Sequence, residues 1–292
     1  VAIADDLQNC WYGDRASPWW SLPLAVLYGG VTAARRWMYR HGWLRSERLP
    51  VPVIVVGNVV AGGAGKTPLT IALVQGLRDR GFTPGVVSRG YGGAARAPML
   101  LGAQPDPAIA GDEPALIRMR TGAPVAIGAK RADAARLLFS EGTSVIIADD
   151  GLQHYALARD VEICVVDGLR RFGNGRLLPA GPLREPESRL RDVDFIVCNG
   201  GDERNGEAPM QLLISNAVAL AEPARTSPLA AFAGKRVHAI AGIGHPQRFF
   251  DALHAVGIDP IAHPFPDHHH YTAADLAFGD GLPVLMTEKD AV

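Results

Sequence analysis

Cysteine is scarce in this chain of 292 residues, present only at Cys10, Cys164 and Cys198. Three thiols, odd in number and far apart, exclude a disulfide framework and a thiolate metal site. Cys164 and Cys198 fall inside apolar strand-like runs, which predicts buried, reduced thiols. Net charge is nearly absent too. The 29 basic and 30 acidic residues leave a formal charge of −1, so nothing draws the whole molecule to a polyanion and no nucleic-acid partner is expected. Long apolar runs are missing as well. The N-terminal run WWSLPLAVLYGGV, residues 19–31, is interrupted by Pro23 and Gly29-Gly30, and it falls short of the roughly 18 residues a membrane span requires. Acids precede it and positive charge follows it, the reverse of a cleavable signal peptide. No repeat of fixed period is present.

What is there points to a nucleotide enzyme. At 48% hydrophobic the chain can bury one large core or two modest ones. From residue 51 onward, strand and helix patterns alternate. Strands are expected at 53–56, 85–88, 124–127, 144–148, 161–166, 194–198, 236–241 and 283–287. Helices are expected at 68–80, 112–120, 131–141, 246–256 and 272–278, with loops or linkers at 92–111 and 200–232. This order predicts an α/β protein with a doubly wound, mostly parallel sheet whose ligands sit at the carboxyl ends of the strands.

The first strand runs into Val60-Ala61-Gly62-Gly63-Ala64-Gly65-Lys66-Thr67, and a helical pattern follows at once. Glycines let successive N–H groups turn inward around an anion, and the helix N-terminus adds its positive dipole end. Lys66 is placed to reach β- and γ-phosphates, and the Thr67 hydroxyl to ligate Mg²⁺. Pro68 sits in the first helical turn, where its missing N–H costs nothing. Leu69, Leu73 and Leu77 recur at helical spacing and are expected to face the core. The loop departs from the common Gly-x4-Gly-Lys-Ser/Thr pattern by Val60, and from the Lys-Gly-Gly-x-Gly-Lys-Thr variant by Ala61. Strand, loop and helix together predict binding of a nucleoside triphosphate.

Other segments carry candidate chemistry. A buried-type strand ends in Asp149-Asp150-Gly151, where paired carboxylates repel one another unless a cation lies between them, which favours Mg²⁺. Asp112 opens a helix pattern and suits either an N-cap or a base that accepts a hydroxyl proton. Asp267-His268-His269-His270 places an acid beside histidines; adjacent ring side chains point in different directions, so proton handling fits better than a metal. Arg89 and Arg184, in loops after strands, could clamp anionic oxygens. The apolar run at 19–31, followed by Arg35, Arg36, Arg40, Arg45 and Arg48, suits a helix lying in a bilayer interface or one docked on the domain.

Taken in order, PLAVLYGGVTAARRWMYRHGWLRS, VPVIVVGNVVAGGAGKTP, VVSRGYGG, GDEP, DDGLQH, LLPAGPLREP, AGIGHPQRFF, FPDHHHYT and LMTEKDAV resemble the tetraacyldisaccharide 4'-kinase family, the lipid A 4'-kinases of Gram-negative bacteria. The resemblance implies a P-loop NTPase-like core at 51–229, an N-terminal membrane-associating helical segment at 1–50 and a smaller C-terminal α/β lobe at 230–292. That lobe is expected to be truncated, because family members usually continue past the Thr-Glu-Lys-Asp motif. The implied reaction transfers the γ-phosphate of ATP, with Mg²⁺, to the 4'-hydroxyl of a tetraacylated glucosamine disaccharide 1-phosphate. It would take place at the cytoplasmic face of the inner membrane, with peripheral membrane association and no obligate protein partner.

Carried over by motif, Asp112 is the expected base and His268 its partner. Lys66 and Thr67 hold phosphates and Mg²⁺, Asp149 and Asp150 stand at the metal, and Arg184 and Glu185 line the active site. Two other classes fit the phosphate loop alone: a membrane-associated P-loop ATPase or GTPase switch, and a soluble small-metabolite kinase. A switch would hydrolyse nucleotide without any acceptor, which separates it from both kinases.

Overall fold

A computed structural model describes residues 8–222 and 224–292; residues 1–7 of the expected N-terminal segment lie outside it. The chain divides into two units, one ending at Gln211 and the other running Leu212–Val292.

The larger unit is built on an eight-stranded sheet with strand order β3-β4-β2-β5-β1-β6-β7-β8. Its strands are β1 (Val53–Gly57), β2 (Pro84–Ser88), β3 (Met99–Leu100), β4 (Val125–Ile127), β5 (Val145–Ala148), β6 (Val161–Asp167), β7 (Phe195–Asn199) and β8 (Glu207–Met210). All neighbours pair parallel except β3, which runs antiparallel to β4. Parallel sheets are covered on both faces and therefore read as unbroken apolar runs, and Val55, Val56, Val86, Val87, Ile146, Ile147, Cys164 and Val165 are all buried. The chain moves from β1 out to β2 on one side, then later from β5 across to β6 on the other. β1 thus ends at the reversal of strand order, where ligands bind in open α/β sheets.

Helix α1 (Ser21–Arg40) is continuous. Pro23 falls in its first turn, where no intrahelical N–H bond is lost. A Cβ on Gly29 would come within 2.7 Å of the Leu177 side chain, so the missing side chain allows close docking on the larger unit. Among the described residues no helix is long and apolar enough to cross a membrane.

Helix α2 (Lys66–Arg78) follows the phosphate loop. Its buried residues include Thr67, Thr70 and Val74, whereas Leu69, Leu73 and Leu77 are only half-buried. The stripe that meets the core is therefore one step round from the leucines, with smaller side chains at the closest approach. Helix α3 (Asp112–Thr121) and the short α4 (Arg131–Arg136) complete the expected helices of this unit, and the pattern at 131–141 breaks into α4 and a separate 3₁₀ turn at Phe139–Glu141. All three cysteines are buried free thiols.

The smaller unit holds the hairpin of β9 (Asn216–Val218) and β10 (Thr226–Pro228), the parallel sheet β12-β11-β13, and helix α5 (Pro246–Ala255). In that sheet β11 is Arg236–Ala241, β12 is Asp259–Pro264 and β13 is Val284–Met286. Its core gathers Val237, Ala239, Ala241, Phe250, Leu253, Ile258 and Leu285 with Leu229, and Ile214 and Ala217 pack on it. Those last contacts are why the unit begins at Leu212 rather than at 230, the expected boundary: the stretch taken for a linker carries side chains of the second core. The helix expected at 272–278 is a 3₁₀ turn, Ala273–Leu276, closed by a capping box of Thr272 and Asp275.

At the open edge of the larger sheet, Glu207 of β8 receives Arg171 on both oxygens at 2.9 and 2.6 Å, and the Arg204 amide at 2.9 Å. The Arg171 bonds, against the opposing effect of burial, hold this carboxyl down at about 2. A depressed carboxylate pKa adds stability that is complete above the ordinary value of 4.5 and is lost as pH falls towards 2. Glu207→Gln should therefore cost about 1–2 kcal/mol at neutral pH. In thermal melts its deficit against the unsubstituted protein should shrink as pH is lowered from 5 to 2; a pH-independent deficit would exclude this ion pair as the cause.

Candidate active site

The loop between β1 and α2 is held from outside. Asn58 Nδ2 donates to Gly62 O at 3.2 Å, Arg170 Nη2 to Gly63 O at 2.7 Å and Asn199 Nδ2 to Ala64 O at 3.0 Å. In a trans peptide the N–H points opposite to its C=O, so the amides of Gly63, Ala64 and Gly65 face away from these anchors and towards the concavity. Gly65 has φ +96°, and a Cβ there would lie 2.2 Å from Asn199 Nδ2; no other residue fits that position.

The two departures from the common loop pattern now have a structural reason. Val60 is buried and bridges antiparallel to Leu183. On either side, Ala61 N–H donates to Pro182 O and Arg184 N–H to Val59 O, both at 2.7 Å. Residues 59–61 thus form a short ladder with the LLPAGPLREP loop. A ladder position takes a β-branched residue readily and has no need of glycine.

Lys66 opens α2 with its side chain almost wholly buried, Nζ 3.6 Å from Asp150 Oδ1. Arg184 Nη1 reaches the same carboxylate at 3.1 and 3.2 Å. Asp150 adopts φ +46°, which turns it away from its neighbour. Burial raises its pKa, but Lys66, Arg184 and Arg131 outweigh burial and hold it below the carboxylate norm.

Asp149 turns inward instead. It is fully buried, accepts Thr70 Oγ1 at 2.8 Å on Oδ1, and leaves Oδ2 buried with no partner. Burial, then Glu113 and Asp150, push its pKa upward. The adjacent acids thus face different surroundings, although Asp150 still acts on Asp149 to raise its pKa. The unfilled oxygen of Asp149 is a carboxylate donor of the kind that suits a divalent cation. Among the described residues no group of three or more His, Cys, Asp or Glu side chains is arranged to hold a metal by itself.

Glu185 is not open to the cleft. Its carboxylate is buried, receiving the Tyr155 hydroxyl on one oxygen and Gln153 Nε2 at 2.9 Å on the other, while Gln153 also donates to Asn58 O at 3.0 Å. Glu185 thus ties the DDGLQHY turn to the phosphate loop. Asp112 is the first residue of α3, half-buried, and Gly111 takes the cap position with φ +86°. The N-cap reading of Asp112 falls, because the preceding glycine occupies that place. A Cβ on Gly111 would lie 2.3 Å from Tyr91 O, so the glycine lets the RGYGG loop close over the start of α3.

His268 belongs to the smaller unit, at φ +62°, with Nε2 3.9 Å from Asp267 Oδ1. Asp267 also meets Lys289 Nζ at 2.7 Å. His269 turns to Asp275 at 3.4 Å and packs on Phe265 and Tyr271, so the histidines do diverge. Lys66, Thr67, Asp149, Asp150, Arg184, Glu185 and Asp112 lie in the larger unit and His268 in the other.

Several contributors carried no sequence signal. Thr70 reads as a helix residue, Asn199 as the end of a strand, and Gln153 and Tyr155 as loop polar groups. Arg131, which donates to the main-chain oxygens of Asp149 at 3.1 Å and Asp150 at 2.7 Å, stands at the start of an expected helix with no motif to mark it.

A glycine-rich anion loop at the strand-order reversal of a parallel sheet, facing a buried Lys66 and two divided aspartates, defines a P-loop phosphotransferase. The family model described as tetraacyldisaccharide-1-P 4'-kinase matches residues 17–292. The tetraacyldisaccharide 4'-kinase of Xanthomonas euvesicatoria pv. vesicatoria (strain 85-10) is 55% identical, over 97% of this chain and 85% of its own. That of Stenotrophomonas maltophilia (strain R551-3) is 56% identical, over 97% and 86%. The crystal structure of LpxK from Aquifex aeolicus in complex with ATP superposes with a TM-score of 0.75 at 29% identity, covering 92% of this chain and 88% of that one. The chain belongs to the tetraacyldisaccharide-1-P 4'-kinase family.

If Glu185 acts by holding Tyr155 and Gln153, Glu185→Gln should lower thermal stability by about 1–3 kcal/mol together with activity. Full thermal stability with lost activity would instead place its carboxylate in the chemistry.

Proposed function

We propose that this chain transfers the γ-phosphoryl group of ATP to the 4'-hydroxyl of a tetraacylated glucosamine disaccharide 1-phosphate at the cytoplasmic face of the inner membrane. The observation that carries the proposal is the pairing of a preorganised anion loop with the buried, unfilled oxygen of Asp149. Phosphoryl transfer depends on alignment and charge neutralisation more than on covalent catalysis. The amides of Gly63, Ala64 and Gly65 cradle the phosphates, and Lys66 leaves Asp150 to meet them. Thr67, Asp149 and Asp150 would hold Mg²⁺, which would supply charge neutralisation at the phosphates. Arg184 keeps Asp150 ionised and in place. Asp112 accepts the proton of the attacking hydroxyl.

Helix α1 supports the membrane part of the proposal. It and its flanks expose Trp19, Leu22, Leu24, Val26, Leu27 and Val31, and Arg35, Arg36 and Arg40 follow. Aromatic and aliphatic residues beside arginines match a helix lying in the interface of an anionic leaflet. The opposite face docks, with the Tyr28 hydroxyl donating to Arg184 O at 3.0 Å.

ATP turnover measured with and without the acylated acceptor tests the reaction. The expected result is turnover only with acceptor; hydrolysis at the same rate without it would assign a nucleotide switch instead. Asp112→Ala should lower kcat by about two orders of magnitude or more with ATP affinity nearly intact, and near-normal kcat would remove Asp112 from the base role. Val26→Glu with Leu27→Glu, both on the exposed face, should abolish flotation with anionic liposomes while leaving the melting temperature unchanged. Undiminished flotation would count against membrane docking through α1.

A further inference from the structure

Two consecutive carbonyls of the phosphate loop are held from two neighbouring strand ends. Asp167 and Asn199 are register partners at the carboxyl ends of β6 and β7. Asn199 holds Ala64 O directly, whereas Asp167 holds Gly63 O through Arg170. The Asp167 carboxylate is buried. Its Oδ1 accepts the Leu169 and Arg170 amides at 3.0 and 3.1 Å, and its Oδ2 accepts Arg170 Nε at 3.1 Å. The guanidinium, fixed along that edge, donates Nη2 to Gly63 O at 2.7 Å. That bond orients the peptide plane whose N–H belongs to Ala64, and so aims one amide into the concavity before any phosphate arrives.

The segment before α1 closes over this clamp. Residues 8–12 form a helical turn that is tied to the chain following β6. Trp11 Nε1 donates to Pro179 O at 3.0 Å, the Asn174 amide to Trp11 O at 2.8 Å, Asn174 Nδ2 to Cys10 O at 3.0 Å and Ser17 Oγ to Ala180 O at 2.6 Å. These bonds set the half-buried Tyr12 with its ring centre 5.0 Å from the Arg170 guanidinium. Burial, opposed by Arg170 and reinforced by Asp167, raises the pKa of the phenol above its ordinary value. At neutral pH Tyr12 is therefore uncharged, and Arg170 meets the face of a ring and not a phenolate. A guanidinium over a ring face is attracted to it, more so where water is displaced, and a shielded guanidinium–carbonyl bond is stronger than one open to solvent.

We propose that Tyr12 and Arg170 are a positioning pair that sets the affinity of the phosphate loop for the triphosphate, so that the segment leading into α1 belongs to the support of the nucleotide site. The proposal rests on the kinase reading above. Tyr12 acts through Arg170, and Arg170 through the Gly63 carbonyl. A loop without this clamp has to fix the Gly63–Ala64 peptide when the anion binds, and the entropy of that ordering is lost from affinity. Lys66 and the acids that end β5 are untouched by the change, so the effect falls on binding and not on the transfer step. Part of the stretch expected for membrane association thereby acquires a second task.

Isothermal titration with ATP and Mg²⁺ in the absence of acceptor tests the pair, alongside KM and kcat measured with acceptor. Arg170→Ala should raise Kd for ATP by about tenfold. Arg170→Lys keeps the charge without the fork that reaches Asp167 and Gly63 together, and should recover only part of that loss. Tyr12→Ala should raise Kd by about threefold, and Tyr12→Phe, which keeps the ring, should recover most of it. Each change should fall on KM for ATP rather than on kcat. In the double variant Tyr12→Ala should add nothing to Arg170→Ala, because its only route to the loop is already gone. A double variant in which the two effects multiply overturns the pair, as does a Tyr12→Ala protein that binds ATP with unchanged Kd. Should Arg170→Ala not fold, Arg170→Lys takes its place in the same cycle. No ATP binding by the unsubstituted protein would instead overturn the kinase reading, and the pair with it.

Discussion

Three consecutive contacts between residues 59–61 and 182–184 govern the site. The Val59 carbonyl, the Val60 bridge and the Ala61 amide pair with the LLPAGPLREP loop, so the glycine-rich segment is anchored on a strand-like ladder before it turns. From that one seam Arg184 is delivered onto Asp150, Glu185 beneath the DDGLQHY turn, and the carbonyl of Arg184 onto Tyr28 of α1. A phosphate loop held only by its own turn would lose backbone entropy each time it closed on an anion. Here that ordering is already present in the fold.

The same seam explains how opposite charges share a small volume. Asp149 and Asp150 are adjacent in sequence yet face different surroundings, one a threonine hydroxyl in the core and the other a lysine and an arginine at the cleft. A left-handed backbone at Asp150 makes that division. The protein thus keeps one carboxylate ionised and paired, and the other buried with an oxygen to spare. Two neighbouring acids acquire different roles from environment alone.

Edges of sheets behaved differently from their centres. The central strands β1, β2, β5 and β6 each carry a buried run of valine and isoleucine and are legible as strands from it. Strands β8 and β12 carry Pro209 and Pro260 and lie at sheet edges, where a missing N–H is tolerated; neither reads as a strand in sequence, and β8 falls inside the expected loop at 200–232. β3, two residues long at the opposite edge, is too short to show alternation. The unexpected start of the smaller unit at Leu212 has a related origin. Its hairpin buries a few scattered side chains, Ile214, Ala217 and Leu229, among polar and proline residues, and no periodicity marks them.

The sequence by itself determined the alternating α/β order, the phosphate loop with Lys66 and Thr67, the acids that end β5, and the family. Each of these rests on residues close together in the chain, whose spacing is the signal. Only the tertiary structure decided that Val60 belongs to a ladder, that the Glu185 carboxylate is held by Tyr155 and Gln153, that Gly111 and not Asp112 caps α3, and that Arg35, Arg89 and Arg131 gather around His154. Those outcomes depend on strand neighbours brought together from distant parts of the chain. A parallel sheet whose order departs from chain order leaves no local trace of which loops will meet.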